Sequence, residues 1–63
     1  MDIGSKMVGF RRMRGLSQKD LAQKVGMAAS QLNRYERGSA RPSLKTLERL
    51  ALGLGIRIRD LLW

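Results

Sequence analysis

The chain has 63 residues, enough for one domain, and it contains neither cysteine nor histidine. This composition excludes a disulfide framework and makes a structural metal site, a cofactor or acid–base catalysis unexpected, so we predict that the protein is not an enzyme. Thirteen Lys and Arg against five Asp and Glu leave a formal net charge of +8, and this excess predicts a polyanionic partner, either nucleic acid or anionic lipid.

The first helical pattern ends at Gly15, because glycine readily takes the left-handed conformation that is common after the last turn of a helix. Its apolar positions recur at the spacing of one helix face: Ile3, Met7 and Phe10. Gly4 and Gly9 lie inside this pattern. Each is expected to weaken the helix by about 1 kcal/mol relative to alanine.

The second pattern begins with a capping signal. Ser17 can accept a backbone N–H one turn on, and Asp20 stands where a capping box has its reciprocal acidic residue. The inner face of this helix consists of Leu21, Ala22 and Val25. We therefore predict a helix of about two turns that ends at Gly26.

A third helix is predicted from about Ala28 to Arg37, and Gly38 closes it. On a helical wheel, four polar residues cluster on the side opposite the apolar Leu32. We call them the outer face: Ser30, Asn33, Arg34 and Arg37.

The remaining chain predicts two more helices. Pro42 holds Arg41 in an extended conformation, and Ser43 is a good N-cap for the fourth helix. The apolar face of that helix consists of Leu44, Leu47, Leu50, Ala51 and Leu54. Gly55 ends it, and a last turn or two covers residues 58–63. Because no window alternates as a strand does, the sequence predicts an all-α fold of five short helices in a single domain over residues 1–63.

The order of helix, tight glycine turn and helix resembles the Cro and phage-repressor (XRE-type) helix-turn-helix family. The matching segments, which extend the likeness over residues 5–62, are "LSQKDLAQKVG" (16–26), Leu32, "RYERG" (34–38), Pro42 and "LERLALGLG" (47–55). The resemblance implies a compact five-helix, lambda-repressor-like DNA-binding domain with its helix-turn-helix at about residues 17–37. It also implies that the recognition helix, about 28–37, enters the major groove of double-stranded DNA.

Four positions of the third helix correspond to base-reading positions of the family: Ala29, Ser30, Asn33 and Arg34. Their chemistry suits that role. Arginine can pair with both acceptors of guanine, asparagine can pair with adenine, and the methyl group of alanine can touch that of thymine. Ala28 stands where the family usually has a Ser or Thr N-cap, so this helix begins about 1 kcal/mol less well capped.

The resemblance also implies phosphate contacts on both sides of the recognition helix. The candidates are Ser17, Gln18, Arg37, Arg41, Ser43 and Lys45. Ser17 and Gln18 open the second helix, whose free N–H groups and positive dipole end suit a phosphate. Such contacts position the protein and carry no base information.

Two further sets of charges have different expected roles. In the family, an arginine near the end of the first helix pairs with the glutamate of "RYERG", and the resemblance therefore implies an Arg11–Glu36 strut behind the recognition helix. Four other basic residues are expected to stay solvated and to act only through the long-range electrostatic field of the protein: Arg12, Arg14, Lys24 and Arg49.

The end of the chain carries more apolar residues than a monomer would need. Leu52, Ile58 and Trp63 are therefore candidates for a dimer interface, and we expect a homodimer on a palindromic operator.

The leading hypothesis is a sequence-specific transcriptional regulator, most simply a repressor. An alternative is an antitoxin or protein-interaction module of the same fold, with a toxin as its partner. A cationic membrane-surface peptide fits poorly, because ordered caps and a loop proline favour a globular fold. The apolar runs are also much shorter than the roughly 20 residues that cross a bilayer. We therefore expect a cytoplasmic, nucleoid-associated protein without a membrane partner.

Overall fold

The computed structural model describes residues 2–63 and contains five α-helices. They are α1 (Ile3–Met13), α2 (Gln18–Val25), α3 (Ala29–Arg37), α4 (Leu44–Leu54) and α5 (Ile58–Leu62). The all-α prediction is confirmed, and the described part of the chain contains no strand. None of its helices has the length and apolar character needed to cross a bilayer.

Local capping fixes where most of these helices begin. Ser17 and Asp20 form the predicted capping box, in which the Asp20 N–H donates to Ser17 Oγ (3.0 Å) and the Ser17 N–H donates to Asp20 Oδ2 (3.1 Å). Ser43 Oγ accepts the Thr46 N–H at 3.2 Å at the start of α4. Asp2 caps α1 in the same way, since its carboxylate accepts the Ser5 N–H at 2.7 Å.

All five helices contribute buried residues to the core, and α3 supplies one of them, Leu32. Its members are Met7, Leu21, Ala22, Leu32, Leu47, Leu50, Ala51, Leu54 and Leu61. The prediction for Leu44 is wrong, because this side chain is 63% exposed. Leu44 is the first residue of α4, and side chains lean toward the N-terminus of their helix, so it projects past the packed interface.

The extensive contacts between helices form a closed ring. α1 packs on α3, α3 on α2, α2 on α4, α4 on α5, and α5 returns to α1. Each described helix therefore has two main neighbours, although α1 and α5 lie at opposite ends of the sequence.

Gly4 does not merely weaken α1 as predicted. It is buried, and a Cβ added there would clash with the Glu36 carbonyl oxygen and lie 2.9 Å from that of Tyr35. The absence of a side chain lets the backbones of α1 and α3 touch. Gly9 differs, because beyond the adjacent backbone of α1 itself a Cβ there would have no atom of residues 2–63 within 4 Å.

Two arginines predicted to be solvated are instead held by helix ends, which corrects that prediction. Arg14 donates from Nε to the Leu54 carbonyl oxygen (2.8 Å) and from Nη2 to that of Gly55 (3.2 Å). Arg49 donates from Nη2 to the carbonyl oxygens of Val25 and Gly26. The last carbonyls of a helix lack partners within it and carry partial negative charge, so a guanidinium stabilises them. Arg12 and Lys24 are exposed as predicted.

Candidate nucleic-acid interface

The turn between α2 and α3 fixes the angle at which α3 is presented. Gly26 takes a left-handed conformation (φ 76°), and the Met27 N–H donates to the Ala22 carbonyl oxygen at 2.9 Å. Ala22, which is 2% exposed, and the fully buried Leu32 lie in the interface between the two helices. Ala22 and Leu32 therefore hold α3 against α2, and the outer face of α3 points away from this contact.

The outer face predicted from the helical wheel is accessible on α3. Ser30, Arg34 and Arg37 are exposed, and Asn33 is half-buried. Ala29 is half-buried and packs against the core, so less of its methyl group is available than the base-reading prediction assumed.

A largely buried ion pair ties the end of α3 to α1. Arg11 donates to both carboxylate oxygens of Glu36, with Nε–Oε2 and Nη2–Oε1 distances of 2.7 and 3.0 Å. The two side chains are only 11% and 3% exposed. Arg11 Nη1 also donates to the Leu16 carbonyl oxygen at 2.9 Å. The predicted pair of Arg11 and Glu36 is therefore present, and its two parallel hydrogen bonds have the bidentate geometry that makes arginine–carboxylate contacts directional.

Gln18 extends this ion pair toward the outer face. Its Nε2 donates to Glu36 Oε1 at 2.8 Å, and its Oε1 accepts from Asn33 Nδ2 at 3.4 Å. The side chain predicted to meet a phosphate is therefore turned toward α3. Sequence reasoning missed this link because residues 18, 33 and 36 become neighbours only when α2 and α3 cross.

The backbone at the start of α2 remains suited to an anion. The capping box uses the N–H groups of Ser17 and Asp20, whereas those of Gln18 and Lys19 have no acceptor within residues 2–63. These groups point outward from the positive end of the helix dipole.

The other phosphate candidates lie at the carboxyl-terminal end of α3 and in the chain that follows it. Arg37 and Arg41 are exposed and line one groove together with Pro42. Lys45 is exposed as well. The Ser43 hydroxyl is already engaged, because it accepts the Thr46 N–H and donates to Thr46 Oγ1 at 3.0 Å.

Acidic residues are absent from the helix-turn-helix between its capping box and its ion pair. Residues 21–35 contain no Asp or Glu, so no carboxylate there offsets Lys24 or Arg34. At the start of α2, the Ser17 N–H lowers the pKa of the Asp20 carboxyl, and the Ser17 hydroxyl adds to this effect. Asp20 therefore keeps its charge at neutral pH and serves the cap.

The structure separates the three candidates for a dimer interface. Trp63 is 84% exposed in a groove with Phe10 and Met13, and Met13 is itself 79% exposed. Leu52 is 82% exposed but lines another groove, beside Lys24 and Val25. Ile58 is half-buried and packs against the core, so less of its side chain is available to a partner, and an interface role for it stays a prediction.

Comparison with known proteins supports the resemblance described above. A family model described as helix-turn-helix matches residues 10–61. The immunity repressor protein of Bacillus phage phi105 is 40% identical over 58 residues, which cover 92% of this chain and 40% of the repressor. The HTH-type transcriptional regulator DdrOP3 of Deinococcus deserti is 39% identical over 62 residues, covering 98% of this chain and 48% of that protein. The chain thus spans less than half the length of these two relatives.

A solved structure gives the same result for the fold. The master regulator for biofilm formation SinR of Bacillus subtilis, crystallised in complex with DNA, superposes with a TM-score of 0.92 at 34% identity. The match covers 97% of this chain and 98% of the SinR chain.

Proposed function

The chain belongs to the XRE-type helix-turn-helix family, and from that membership we propose that it binds double-stranded DNA sequence-specifically and regulates transcription, most simply as a repressor. The observation that carries the proposal is the outer face of α3, which is accessible, cationic and held at one end by a buried ion pair. The protein would act by occupying its site at the nucleoid.

In this proposal the base-reading residues are Ala29, Ser30, Asn33 and Arg34. Arg34 is the strongest of them, since its exposed guanidinium can donate to both acceptors of a guanine. Asn33 can pair with adenine through its amide. Ala29 contributes at most a partial methyl contact, because it also packs against the core.

The proposed phosphate contacts lie on either side of α3. At one side they are Ser17 and Gln18, the latter through its backbone N–H, and at the other they are Arg37, Arg41, Ser43 and Lys45. The exposed cations of this second group can neutralise phosphates directly. Ser43 contributes less, because its hydroxyl caps α4.

Binding of three variants to a selected and a scrambled duplex at several salt concentrations tests the proposal. Arg34→Ala should weaken binding to the selected duplex far more than to the scrambled one, because a base-edge contact discriminates by about 1–3 kcal/mol at one base pair. Lys45→Ala, the matched loss of one positive charge, should weaken both duplexes alike and reduce the salt slope by about 0.9. Arg41→Ala should behave as Lys45→Ala does.

Asn33→Ala separates base reading from charge, because it removes no cation. It should relax sequence preference with almost no change in salt slope. The proposal fails if Arg34→Ala and Lys45→Ala shift both duplexes in parallel while Asn33→Ala shifts neither. Such a result would leave the net charge as the whole cause of DNA binding.

We further propose that the protein binds a palindromic operator as a homodimer. The candidate interface is the apolar surface formed by Met13 and Trp63, which are both largely exposed, and the half-buried Phe10 beside them, since exposed apolar side chains favour burial against a partner. The alternative, in which this surface binds a toxin or another protein, predicts a stable complex with that protein in the absence of DNA.

A further inference from the structure

A directed chain of hydrogen bonds links the buried ion pair to the outer face. It begins at Arg11, which donates to the Glu36 carboxylate at 2.7 and 3.0 Å. It continues through the amide of Gln18, bonded to Glu36 Oε1 at 2.8 Å, and ends at the amide of Asn33 at 3.4 Å. The last link is the longest.

The negative charge of Glu36 determines which group donates and which accepts in every hydrogen bond of this chain. An ionised carboxylate accepts hydrogen bonds and cannot donate them, so Gln18 must turn its NH2 group toward Glu36. The Gln18 oxygen then faces Asn33 and requires a donor. Asn33 meets that requirement only by presenting its own NH2 group, since the reversed amide would set two oxygens against each other.

This orientation determines which hydrogen-bonding groups of the Asn33 amide are left for a base. One hydrogen of Nδ2 points to Gln18, while Oδ1 and the second Nδ2 hydrogen remain free. A bidentate pair with adenine needs an acceptor for the N6 hydrogen and a donor to N7, side by side. Rotating the Asn33 amide by 180° would exchange its oxygen and its NH2 group, and the NH2 group would then face the N6 hydrogen of adenine.

We propose that Gln18 is a positioning residue for base recognition: polarised by Glu36, it holds the Asn33 amide in the single orientation that reads adenine. This inference rests on the proposed DNA-binding function and adds a specificity determinant that touches no base itself. It assigns to the Gln18 side chain a role different from the phosphate contact predicted from sequence.

A double-mutant cycle tests the proposal. The base pair read by Asn33 is first identified as the one at which Asn33→Ala loses discrimination. The ratio of the dissociation constants for duplexes with and without that pair is then measured for the native protein, Gln18→Met, Asn33→Ala and the double variant. Methionine keeps the length of the side chain and removes the amide.

The expected loss in Gln18→Met is about two- to tenfold in that ratio, because binding weakens by the fraction of molecules whose amide is correctly oriented. The same substitution should leave the ratio unchanged when Asn33 is already alanine. An equal loss of affinity for both duplexes, or an effect that persists in the Asn33→Ala background, would overturn the positioning role.

A second measurement needs neither DNA nor a variant. Asn33 is the only asparagine of the chain, so its side-chain NH2 resonances are identified at once by NMR, and the exposed Gln23 serves as the control. The NH2 groups of Gln18 and Asn33 should be more ordered and exchange more slowly with solvent than that of Gln23. Equal mobility of all three would refute the proposal in the free protein.

The two proposals fail in different ways. If Asn33→Ala changed no base preference while Arg34→Ala still did, DNA reading would stand and the role of Gln18 would fall. If neither variant changed any base preference, the proposed function itself would be contradicted, and the positioning role with it.

Discussion

Gly4 is the residue at which α1 and α3 come closest. We expect Gly4→Ala to destabilise the protein by about 1–2 kcal/mol, because the overlap of its Cβ with the α3 backbone outweighs the gain in helix propensity. Gly9→Ala is the matched control in the same helix. With open space around it, this variant should be more stable by about 0.5–1 kcal/mol. Unfolding in urea measures both, and destabilisation of the same size in the two variants would contradict the close approach.

Glu36 is the second residue whose role can be isolated. Glu36→Ala removes the partner of Arg11, whose side chain is only 11% exposed, and leaves that guanidinium without its carboxylate, at an expected cost of about 3–5 kcal/mol. Glu48→Ala removes an exposed carboxylate from α4 and should change stability by less than about 0.5 kcal/mol. Equal urea midpoints would show that the ion pair does not hold the fold.

The contacts of some single residues could be predicted from the sequence, and those of others could not. The pair of Arg11 and Glu36 followed from the family resemblance. By contrast, nothing in the local sequence distinguishes Arg14, which holds the end of α4, from Arg12, which stays in solvent. The difference arises only because the fold brings Arg14, the residue after α1, beside the end of α4, and the linear sequence does not show which residues will be neighbours. The same limit concealed the contact of Gln18 with Glu36.

At the scale of single helices, the starts differ in capping. Ser43 caps α4, whereas Ala28 provides no side-chain acceptor at the start of α3. Ala28→Ser should therefore stabilise the protein and Ser43→Ala should destabilise it, each by about 1 kcal/mol. Opposite shifts of the urea midpoint are the expected result. A loss of stability in Ala28→Ser would mean that the backbone there cannot form the cap.

The capping box of α2 predicts a dependence on pH. The Ser17 N–H holds the pKa of Asp20 below its ordinary value, so the folded state binds this proton less tightly than the unfolded chain does. The contribution is complete above the ordinary carboxyl pKa of about 4 and is lost as the pH falls through the lowered value. Asp20→Asn keeps the shape and removes the titration. Its urea midpoint should fall less between pH 6 and pH 2.5 than that of the native protein, and an identical fall would contradict the role of Asp20.

Helix positions were predictable because their signals are local. Serine caps, glycine stops and the 3.6-residue apolar period lie within a few residues of the boundaries that they set. Leu44 shows where periodicity alone fails. It has the spacing of a core residue, but it is the first residue of α4, and its side chain projects past the packed interface.

At the scale of the whole molecule, the exposed apolar surface predicts association. We expect weak dimers in solution and cooperative binding to a palindromic site whose half-sites lie about 34 Å apart. Trp63→Ala should abolish the cooperativity and leave binding to one half-site unchanged. Leu52→Ala, which removes a side chain of similar exposure from another groove, is the control. Cooperativity lost only in Leu52→Ala would move the interface to that groove, and its absence from the native protein would exclude the dimer.

The closed ring of helix contacts has a consequence for how this small protein loses its structure. A linear stack can fray from its ends, but a ring has no end helix, and detaching any member uncovers two apolar interfaces at once. Unfolding should therefore be all-or-none, without a populated form that keeps α2 and α3 together after the rest has melted. The fraction of molecules competent to bind DNA would then equal the fraction folded. A destabilising substitution anywhere in the ring would leave activity intact until the stability margin is exhausted, and activity would then decline together with the folded population.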